Sequence, residues 1–297
     1  TLKKEFGGCT DGLACNYDSN AVCDDNSCQY IEEVDLGEDI TTCEESITLD
    51  AGEGYDSYLW STSETTQTIS VNETGNYSVN VSVGQNINNF SMYFDGNNDF
   101  VTIPSQPTFT YMDDFTISFR IQVENGEDRQ EIISKDVDPQ PNGDWSCFVE
   151  NNQITFELRT GNGPTQYWVT TETILNNNEC YNITISRNSD NGLINIYVNG
   201  LLDGSVTTDI GTISNNQNIH IGRHAVLNDL FFNGFIDDIT IWNNYQNIEE
   251  VQQYVNNTIN INDLNLIGYW NFEEGSNEGQ ILDLSSNENN GTINGAT

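Results

Sequence analysis

Residues 115–123 alternate strictly between apolar and polar side chains, and this alternation constrains the fold more than any other feature of the chain. A period of two is that of a β-strand with one face in the core and the other towards solvent. The same period recurs in five later segments, at 154–158, 183–185, 194–198, 219–221 and 239–241. So many strands predict an all-β protein built on an antiparallel jelly-roll sandwich of two stacked sheets.

Four shorter β-type segments precede that region, separated by turns rich in Gly or Ser and Thr, at 47–49, 58–60, 68–71 and 77–83. They predict a small β-sandwich of their own, over residues 34–86. One short helix is predicted near the other end of the chain. Asn247 can cap its start, and Glu250, three residues further on, completes a capping box.

The 297 residues include 46 Asp and Glu against 8 Lys and Arg, a formal net charge of −38. Such a charge repels phosphate backbones and anionic membrane surfaces, so we expect no nucleic-acid partner. The chain also lacks an apolar run of about 18 residues, so we expect no membrane insertion. The excess of acid fits either solubility at high ionic strength or several Ca²⁺ sites, and both interpretations stay open.

Four of the seven Cys residues fall within 9–28, in a polar stretch with too few apolar residues for a core. Residues 1–33 are therefore predicted to form a disulfide-stapled module of a secreted protein, although four Cys allow three connectivities. Cys147 and Cys180 lie in neighbouring candidate strands and are expected to form a further disulfide. Cys43 is then either the odd thiol or a partner across a domain boundary.

The chain opens without an apolar signal segment and ends in a loop-like Asn-Gly-Ala-Thr phrase. We interpret it as a fragment of a longer protein.

Within the cysteine-rich module, four side chains occupy the first, third, fifth and ninth positions of an EF-hand-like loop: Asn16, Asp18, Asn20 and Asp24. That spacing lets alternate side chains turn onto one Ca²⁺ ion. Ala21 replaces the Gly of the sharp turn and Ser27 replaces the bidentate Glu, so a standard EF-hand is excluded. Either an irregular Ca²⁺ loop or a set of turn-capping side chains remains.

Three phrases carry a family resemblance: YFDG at 93–96, IYVNG at 196–200 and GFIDDITIW at 234–242. They resemble the laminin-G-like jelly-roll domains of the concanavalin A-like superfamily, which implies that residues 87–297 form that domain and that it binds rather than catalyses. The resemblance also implies Ca²⁺ as a cofactor, because such domains often hold this ion with Asp side chains.

The candidate ligands in the jelly roll are Asp95, Asp99 and Asp237. In the resembled fold the first and last strands commonly run side by side, which would bring Asp95 near Asp237. The alternative is that Asp95 serves its own turn and Asp237 marks the entry to a strand.

The two N-terminal modules carry resemblances of their own. Residues 8–28, GCTDGLACNYDSNAVCDDNSC, resemble short repeats of secreted proteins from marine gliding-type bacteria, which implies nested disulfides, Cys9 with Cys28 and Cys15 with Cys23. The phrase LDAGEGYDSYLWSTSETTQTISV at 49–71 resembles Ig-like repeats of the same proteins, which implies a spacer domain. The closing segments of the jelly roll, 266–274 and 289–297, look like phrases that recur in very large surface adhesins exported by the type IX route.

Catalysis is not predicted. Hydrolases that resemble this fold carry acidic residues at alternate positions of one strand, and no E-x-D-x-E run occurs here. The acidic stretch at 124–131 is interpreted as a solvated loop. His220 and His224 are the chain's two His residues, too few for a triad or a His-rich zinc site.

Sugar binding requires an exposed aromatic ring beside polar groups. The candidates lie in Gly-, Asn- and Pro-rich surroundings: Trp145, Tyr167, Trp168 and His224. Trp242 and Trp270 follow strand patterns and are predicted to lie in the core.

The sequence thus predicts a non-catalytic, secreted or cell-surface adhesion module that binds Ca²⁺ and carbohydrate. Its expected partner is an extracellular polysaccharide, a cell-surface glycan, or neighbouring modules of the same protein. Two alternatives stay open: a structural unit of an extracellular filament or stalk without a sugar ligand, and an accessory module of a polysaccharide-degrading enzyme.

Overall fold

The structure is a computed structural model. It describes residues 7–9, 14, 23–24, 28, 34–37, 39–53, 55, 57–82, 91–136, 143–161, 165–227, 229–256, 259–273 and 279–297.

Two antiparallel sheets form a jelly-roll sandwich, as the alternation predicts. The eight-stranded sheet runs, in spatial order, β13 (Gln166–Thr170), β12 (Gln153–Arg159), β11 (Trp145–Glu150), β10 (Gln130–Lys135), β17 (Ile219–Ile221), β8 (Phe100–Ile103), β21 (Gly291–Asn294) and β20 (Gln280–Ile281). The seven-stranded sheet runs β16 (Leu201–Thr207), β15 (Leu193–Val198), β14 (Cys180–Asn188), β9 (Phe115–Val123), β18 (Asn233–Trp242) and β19 (Leu266–Trp270), and β7 (Met92–Asp95) pairs with β18.

The main core lies between the inner faces of these two sheets. The five apolar residues of β9 are all buried there: Phe115, Ile117, Phe119, Ile121 and Val123. Trp242 and Trp270 are buried too, as predicted. Alternate burial therefore places every second residue of each strand on an outer face, where a binding site can form.

The outer face of the seven-stranded sheet is partly covered. Thr116 of β9 is fully buried, because its hydroxyl donates to the carbonyl of Asn244 and accepts from the amide of Gln246. Helix α1 (Ile248–Asn256) follows this loop. Its capping box is confirmed: Asn247 Oδ1 accepts from the amide of Glu250, and Glu250 Oε2 accepts from the amide of Asn247. A single 3₁₀ turn occupies Pro107–Phe109.

Residues 34–82 have a separate apolar cluster, centred on Ala51, Trp60 and Ile69. Around it lie β3 (Ile47–Asp50) paired with β5 (Thr68–Val71), and β4 (Ser57–Trp60) paired with β6 (Val79–Ser82). The Tyr77 hydroxyl donates to the carbonyl of Glu73 at 2.8 Å, a bond back to the upstream backbone like that of the tyrosine corner. That residues 34–86 form an Ig-like domain stays a prediction, as do the boundaries of the three predicted domains.

In the N-terminal part, β1 (Gly7–Gly8) pairs in parallel with β2 (Cys23–Asp24). Cys9 and Cys28 form a disulfide, as predicted. The predicted pair Cys15 with Cys23 lies outside the residues whose side chains the structure describes. No helix in the described part of the chain is long and apolar enough to cross a membrane.

The predicted disulfide between Cys147 and Cys180 is wrong. Cys147 is a free thiol buried in the main core, whereas Cys180 is disulfide-bonded elsewhere. The two residues belong to different sheets, and Cys180 packs in a separate cluster with Tyr93 and Phe235. Cys43 is an exposed free thiol, which agrees with one of its two predicted roles.

Substitution of Gly222, which directly follows β17, tests how tightly the core of the sandwich is packed. Its φ is +84°, and an added Cβ would lie 2.4 Å from Cδ1 of the buried Phe94 ring. We expect Gly222→Ala to lower the free energy of unfolding by about 2–4 kcal/mol, since a strained backbone and an overpacked core both contribute. Urea unfolding measures this loss.

The matched control is Gly279→Ala, where φ is +69° but no atom of the described residues lies within 4 Å of the added Cβ. Only the backbone term, about 1 kcal/mol, is expected there. Equal losses in the two variants would contradict the tight contact between Gly222 and Phe94.

Candidate functional site

The outer face of the eight-stranded sheet carries a row of polar and aromatic residues. Direct cross-strand partners place these side chains in line, one per strand from β13 to β17: Trp168, Glu157, Ser146, Ser134 and His220. Their neighbours along the strands, such as Phe156 and Val169, are buried in the core. The row therefore faces away from the core, and we call this surface the outer face.

Three of the chain's five Arg residues lie on this outer face: Arg129, Arg159 and Arg223. The guanidinium of Arg129 stacks 3.7 Å above the ring of Phe148, and that of Arg223 stacks 4.0 Å above the ring of Phe100. Two of these three guanidinium groups therefore cover aromatic rings on the outer face.

Trp168 is the exposed end of a chain of polar contacts. It is 53% exposed, and its indole Nε1–H donates to Glu157 Oε2 at 3.1 Å. The other oxygen of Glu157 lies 3.7 Å from Arg129 Nη2, which also contacts Glu131 Oε1 at 2.5 Å. These contacts fix the orientation of an aromatic ring that remains open to solvent.

Glu131 is the buried end of this series of polar contacts. Its side chain is fully buried, and its Oε2 has no hydrogen-bond partner. Burial raises the pKa of Glu131 to about 7, although the neighbouring Arg129 opposes the shift. His224 Nε2 lies 3.1 Å from Asp136 Oδ2. Burial lowers the pKa of His224, but the hydrogen bond to Asp136 and the nearby carboxylates outweigh it and raise the pKa overall.

A shallow surface pocket, with no room to enclose a water molecule, lies next to Glu157, the residue that accepts the hydrogen bond of the Trp168 indole. Its lining residues are Asp136, Asp144, Trp145, Glu157, Leu158, Arg159 and Gln166. Asp144 Oδ2 pairs with the Arg159 guanidinium, while Asp144 Oδ1 and the buried Trp145 Nε1–H have no partner. Burial and the adjacent Asp136 carboxyl raise the pKa of Asp144 to about 6. Asp144, Arg159 and the neighbouring Asp136 carboxyl therefore form one compact polar cluster at the pocket wall.

Of the four predicted sugar-binding residues, only Trp168 presents an exposed ring. Trp145 is 2% exposed because β11 turns it into the core, so its prediction as a stacking platform is wrong. Tyr167 points to the other face of β13 from Trp168, and its cross-strand partner is Leu158. Its hydroxyl donates to Asp209 Oδ2. His224 is buried beside Asp136 and offers no stacking surface.

The three predicted Ca²⁺ ligands of the jelly roll do not come together. Asp99 Oδ2 accepts from the amide of Asp95, so these two share one turn. Strands β7 and β18 are neighbours, as expected, but Asp95 pairs with Asn233, four residues from Asp237. That offset corresponds to about 13 Å along a strand. Asp237 is buried and accepts from the amide of Asp238.

Asp95, Asp99 and Asp237 therefore do not fit one Ca²⁺ site as a set. Within the described residues, no group of three or more His, Cys, Asp or Glu side chains is placed to hold a metal ion. The four predicted loop ligands Asn16, Asp18, Asn20 and Asp24 lie outside the described side chains. Calcium binding stays a prediction.

Sequence reasoning missed the residues that support Trp168. Arg129 and Glu131 fall in the acidic stretch 124–131 that was interpreted as a solvated loop, yet Glu131 belongs to β10 and is buried. A usable signal was present in the next hairpin: in 153–159, Glu157 and Arg159 alternate with apolar residues and so share one outward face.

Comparison with known proteins identifies the family to which this chain belongs. Residues 95–252 match the family model of the concanavalin A-like lectin/glucanases superfamily. No curated protein sequence matches the chain.

Many solved structures resemble this chain, among them the following three. A Bacteroides ovatus protein provisionally named a carbohydrate-binding protein has a TM-score of 0.58 and 17% identity, over 81% of this chain and 78% of that one. A SAP-like pentraxin from Limulus polyphemus has a TM-score of 0.46 and 15% identity, over 56% and 81%. The CBM40 of a Ruminococcus gnavus IT-sialidase, bound to α2,3-sialyllactose, has a TM-score of 0.46 and 11% identity, over 56% and 98%.

Burial of Glu131 predicts a pH-dependent stability. Because its folded-state pKa of about 7 lies above the ordinary 4.5, its contribution is complete below pH 4.5 and is lost as the pH rises towards 7. Relative to Glu131→Gln, we expect the wild-type free energy of unfolding to fall by about 3 kcal/mol across that range. Urea unfolding at a series of pH values measures the difference.

The Glu131→Gln reference cancels the titration of the other carboxylates. A wild-type-minus-variant difference that stays constant from pH 4.5 to 7 would show that Glu131 ionises normally.

Proposed function

Because this chain belongs to the concanavalin A-like lectin/glucanases superfamily, we propose that it is a carbohydrate-binding module that holds a glycan on the outer face beside Trp168. The family match covers residues 95–252, which include the site. Such folds serve many functions, so the proposal rests on the site itself.

The single observation that carries the proposal is the exposed, oriented indole of Trp168. A pyranose ring has an apolar C–H face that packs on an aromatic ring, and 53% of Trp168 is available for it. The hydrogen bond from Nε1 to Glu157 holds the ring before a ligand arrives. Prior orientation lowers the entropy that binding would otherwise cost.

Polar groups for the sugar hydroxyls lie within one or two strands of the ring. Arg159 and Gln166 are cross-strand partners on the same side of the sheet, and neighbouring strands are about 4.8 Å apart. A sugar hydroxyl both donates and accepts, so it matches the guanidinium of Arg159 and the side-chain amide of Gln166.

The proposed role is binding without catalysis, in a larger secreted or cell-surface adhesion protein. The carboxylates near Trp168 are engaged by other side chains: Glu157 by the indole and Arg129, Glu131 by Arg129, and Asp144 by Arg159. Engagement of this kind suits a rigid binding surface. The disulfide between Cys9 and Cys28 supports an oxidising, extracellular location.

Removal of the Trp168 ring tests the proposal. A glycan array of neutral oligosaccharides first identifies a ligand. Calorimetric titration with it is then expected to show at least about tenfold weaker binding for Trp168→Ala, because the stacking surface is lost.

The control is Tyr111→Ala, which removes another exposed aromatic ring, 70% exposed, from the segment between the 3₁₀ turn and β9. Unchanged affinity is expected for this variant. If both variants bind like the wild type, or if Tyr111→Ala alone loses binding, the Trp168 site is not the glycan site.

Calcium binding has its own test at the turn shared by Asp95 and Asp99. If that turn holds Ca²⁺, titration of the ion into chelator-treated protein gives saturable heat, which Asp99→Asn removes because a carboxylate ligand is lost. Asp190→Asn, in another turn, is expected to leave the heat unchanged. No saturable heat in the wild type, or equal heat with Asp99→Asn, would contradict calcium binding there.

A further inference from the structure

Glu131 is a buried carboxyl group that does not itself reach the proposed sugar site. Its backbone amide donates to the carbonyl of Leu230, and its cross-strand partner in β11 is Phe148. Glu131 Oε1 accepts from Nε and Nη2 of Arg129, at 3.0 and 2.5 Å, whereas Oε2 has no hydrogen-bond partner among the described residues. Since a buried carboxylate oxygen ordinarily has a partner, the ionised form of this group is only half satisfied.

Arg129 is shared unequally between two carboxylates. Its Nη2 lies 2.5 Å from Glu131 Oε1 but 3.7 Å from Glu157 Oε1, a distance longer than a hydrogen bond. The side chain of Arg129 is 28% exposed, and its guanidinium stacks above the ring of Phe148. A stacked guanidinium keeps its contact with the ring when it moves within its own plane, so Arg129 can shift from one carboxylate to the other at little cost.

Glu157 connects this sharing to the sugar site. Its other oxygen, Oε2, accepts from the indole Nε1–H of Trp168 at 3.1 Å. A guanidinium bound to one oxygen of a carboxylate fixes the position of the other. The contact between Arg129 and Glu157 therefore determines how firmly the indole is held.

The titratable or charged side chains around Glu131, in the described part of the chain, come from each segment packed against it: Arg129 before β10, Cys147 of β11, Glu157 of β12, His224 after β17, and Asp136, which pairs with His224. Burial raises the pKa of Glu131 to about 7, although Arg129 and, less strongly, His224 lower it. Burial also raises the pKa of the Cys147 thiol, which therefore stays neutral. Glu131 is thus a direct partner of Arg129 that changes its charge near neutral pH.

We propose that Glu131 is a positioning residue for Trp168 and that its protonation strengthens sugar binding at the outer face. Protonated Glu131 releases Arg129, which then pairs with Glu157 and fixes the carboxylate that holds the indole. The inference rests on the proposed glycan-binding function and adds its regulation by pH. Because binding favours the protonated form, affinity falls as the pH rises through the titration of Glu131.

The indole signal of Trp168 tests this coupling without a ligand. In two-dimensional NMR spectra of the wild type recorded across the neutral pH range, the Trp168 N–H signal is expected to move with a midpoint near pH 7. In Glu131→Gln, which copies the protonated form, this transition is expected to be absent. The signals of the buried Trp145, Trp242 and Trp270 show whether each variant is folded.

Two further variants identify the group that titrates. A nearby positive charge lowers the pKa of Glu131, so His224→Gln is expected to move the Trp168 transition to higher pH without abolishing it. Glu150→Gln removes an exposed carboxylate that also stabilises the charge of Arg129, and it is expected to keep the transition. A transition that persists in Glu131→Gln, or that disappears in His224→Gln, would overturn the role of Glu131.

Binding is measured by calorimetry with the neutral oligosaccharide identified on the glycan array, since such a ligand does not itself titrate. We expect the wild type to bind about threefold more weakly at pH 8 than at pH 6, an effect typical of one partly exposed ion pair. Glu131→Gln is expected to bind at both pH values as tightly as the wild type at pH 6. At pH 7 the wild type is expected to take up protons on binding, which heats measured in buffers of different ionisation enthalpy reveal. A merely structural role of Glu131 would give no such uptake.

The outcomes distinguish this regulation from the function on which it rests. Equal affinity at pH 6 and pH 8 in the wild type, or the same pH dependence in Glu131→Gln, would overturn the regulation and leave the glycan site in place. A Trp168 signal that does not titrate near pH 7 would overturn the regulation as well. If no neutral glycan binds at either pH, the glycan site fails, and the regulation of binding fails with it.

Discussion

Burial of the two inner sheet faces against each other is the interaction on which the rest of this structure depends. Every strand must turn alternate side chains into a core that holds Phe115, Phe156 and Trp145, among others. The remaining side chains of each strand then point to an outer face of the sandwich. Trp168 is exposed because Val169, next to it in β13, is required inside. The position of the candidate site is therefore a consequence of core packing.

Ion pairs fix the side-chain positions on the outer face. A chain of net charge −38 has few cations, and it holds Arg129 and Arg159 there, each against carboxylates. Partly buried ion pairs of this kind hold side chains in one geometry, although they contribute little net stability. The contacts from Glu131 through Arg129 and Glu157 to Trp168 form one connected set. A rigid aromatic surface follows from it.

The sequence predicts the sandwich well because the period of two is a local property. The strands at 115–123, 154–158 and 239–241 and the capped helix α1 all appear where the pattern places them. The period of two also distinguishes two of the candidate rings. Trp145 shares its phase with Cys147 and Val149, which marks it as a core residue, whereas Trp168 is out of phase with Val169.

Other parts of the site depend on contacts between distant segments, which no local pattern contains. Glu131 lies opposite Phe148 across β10 and β11, and it pairs with Arg129 and lies near His224, which comes from a distant segment. The expected disulfide between Cys147 and Cys180 failed for the same reason, since neighbouring candidate strands went to different sheets. Asp95 and Asp237 lie on adjacent strands, but the antiparallel register separates them.

The central claim is that a sugar stacks on Trp168 at the outer face. The most direct measurement is a two-dimensional NMR spectrum of the five indole N–H groups, recorded while a glycan ligand is added. Trp145, Trp242 and Trp270 are buried in the jelly roll and Trp60 in the separate N-terminal cluster, so each reports on its own surroundings. The account predicts that the Trp168 signal moves most, in step with saturation. A ligand that saturates the protein and leaves the Trp168 signal unmoved would contradict it.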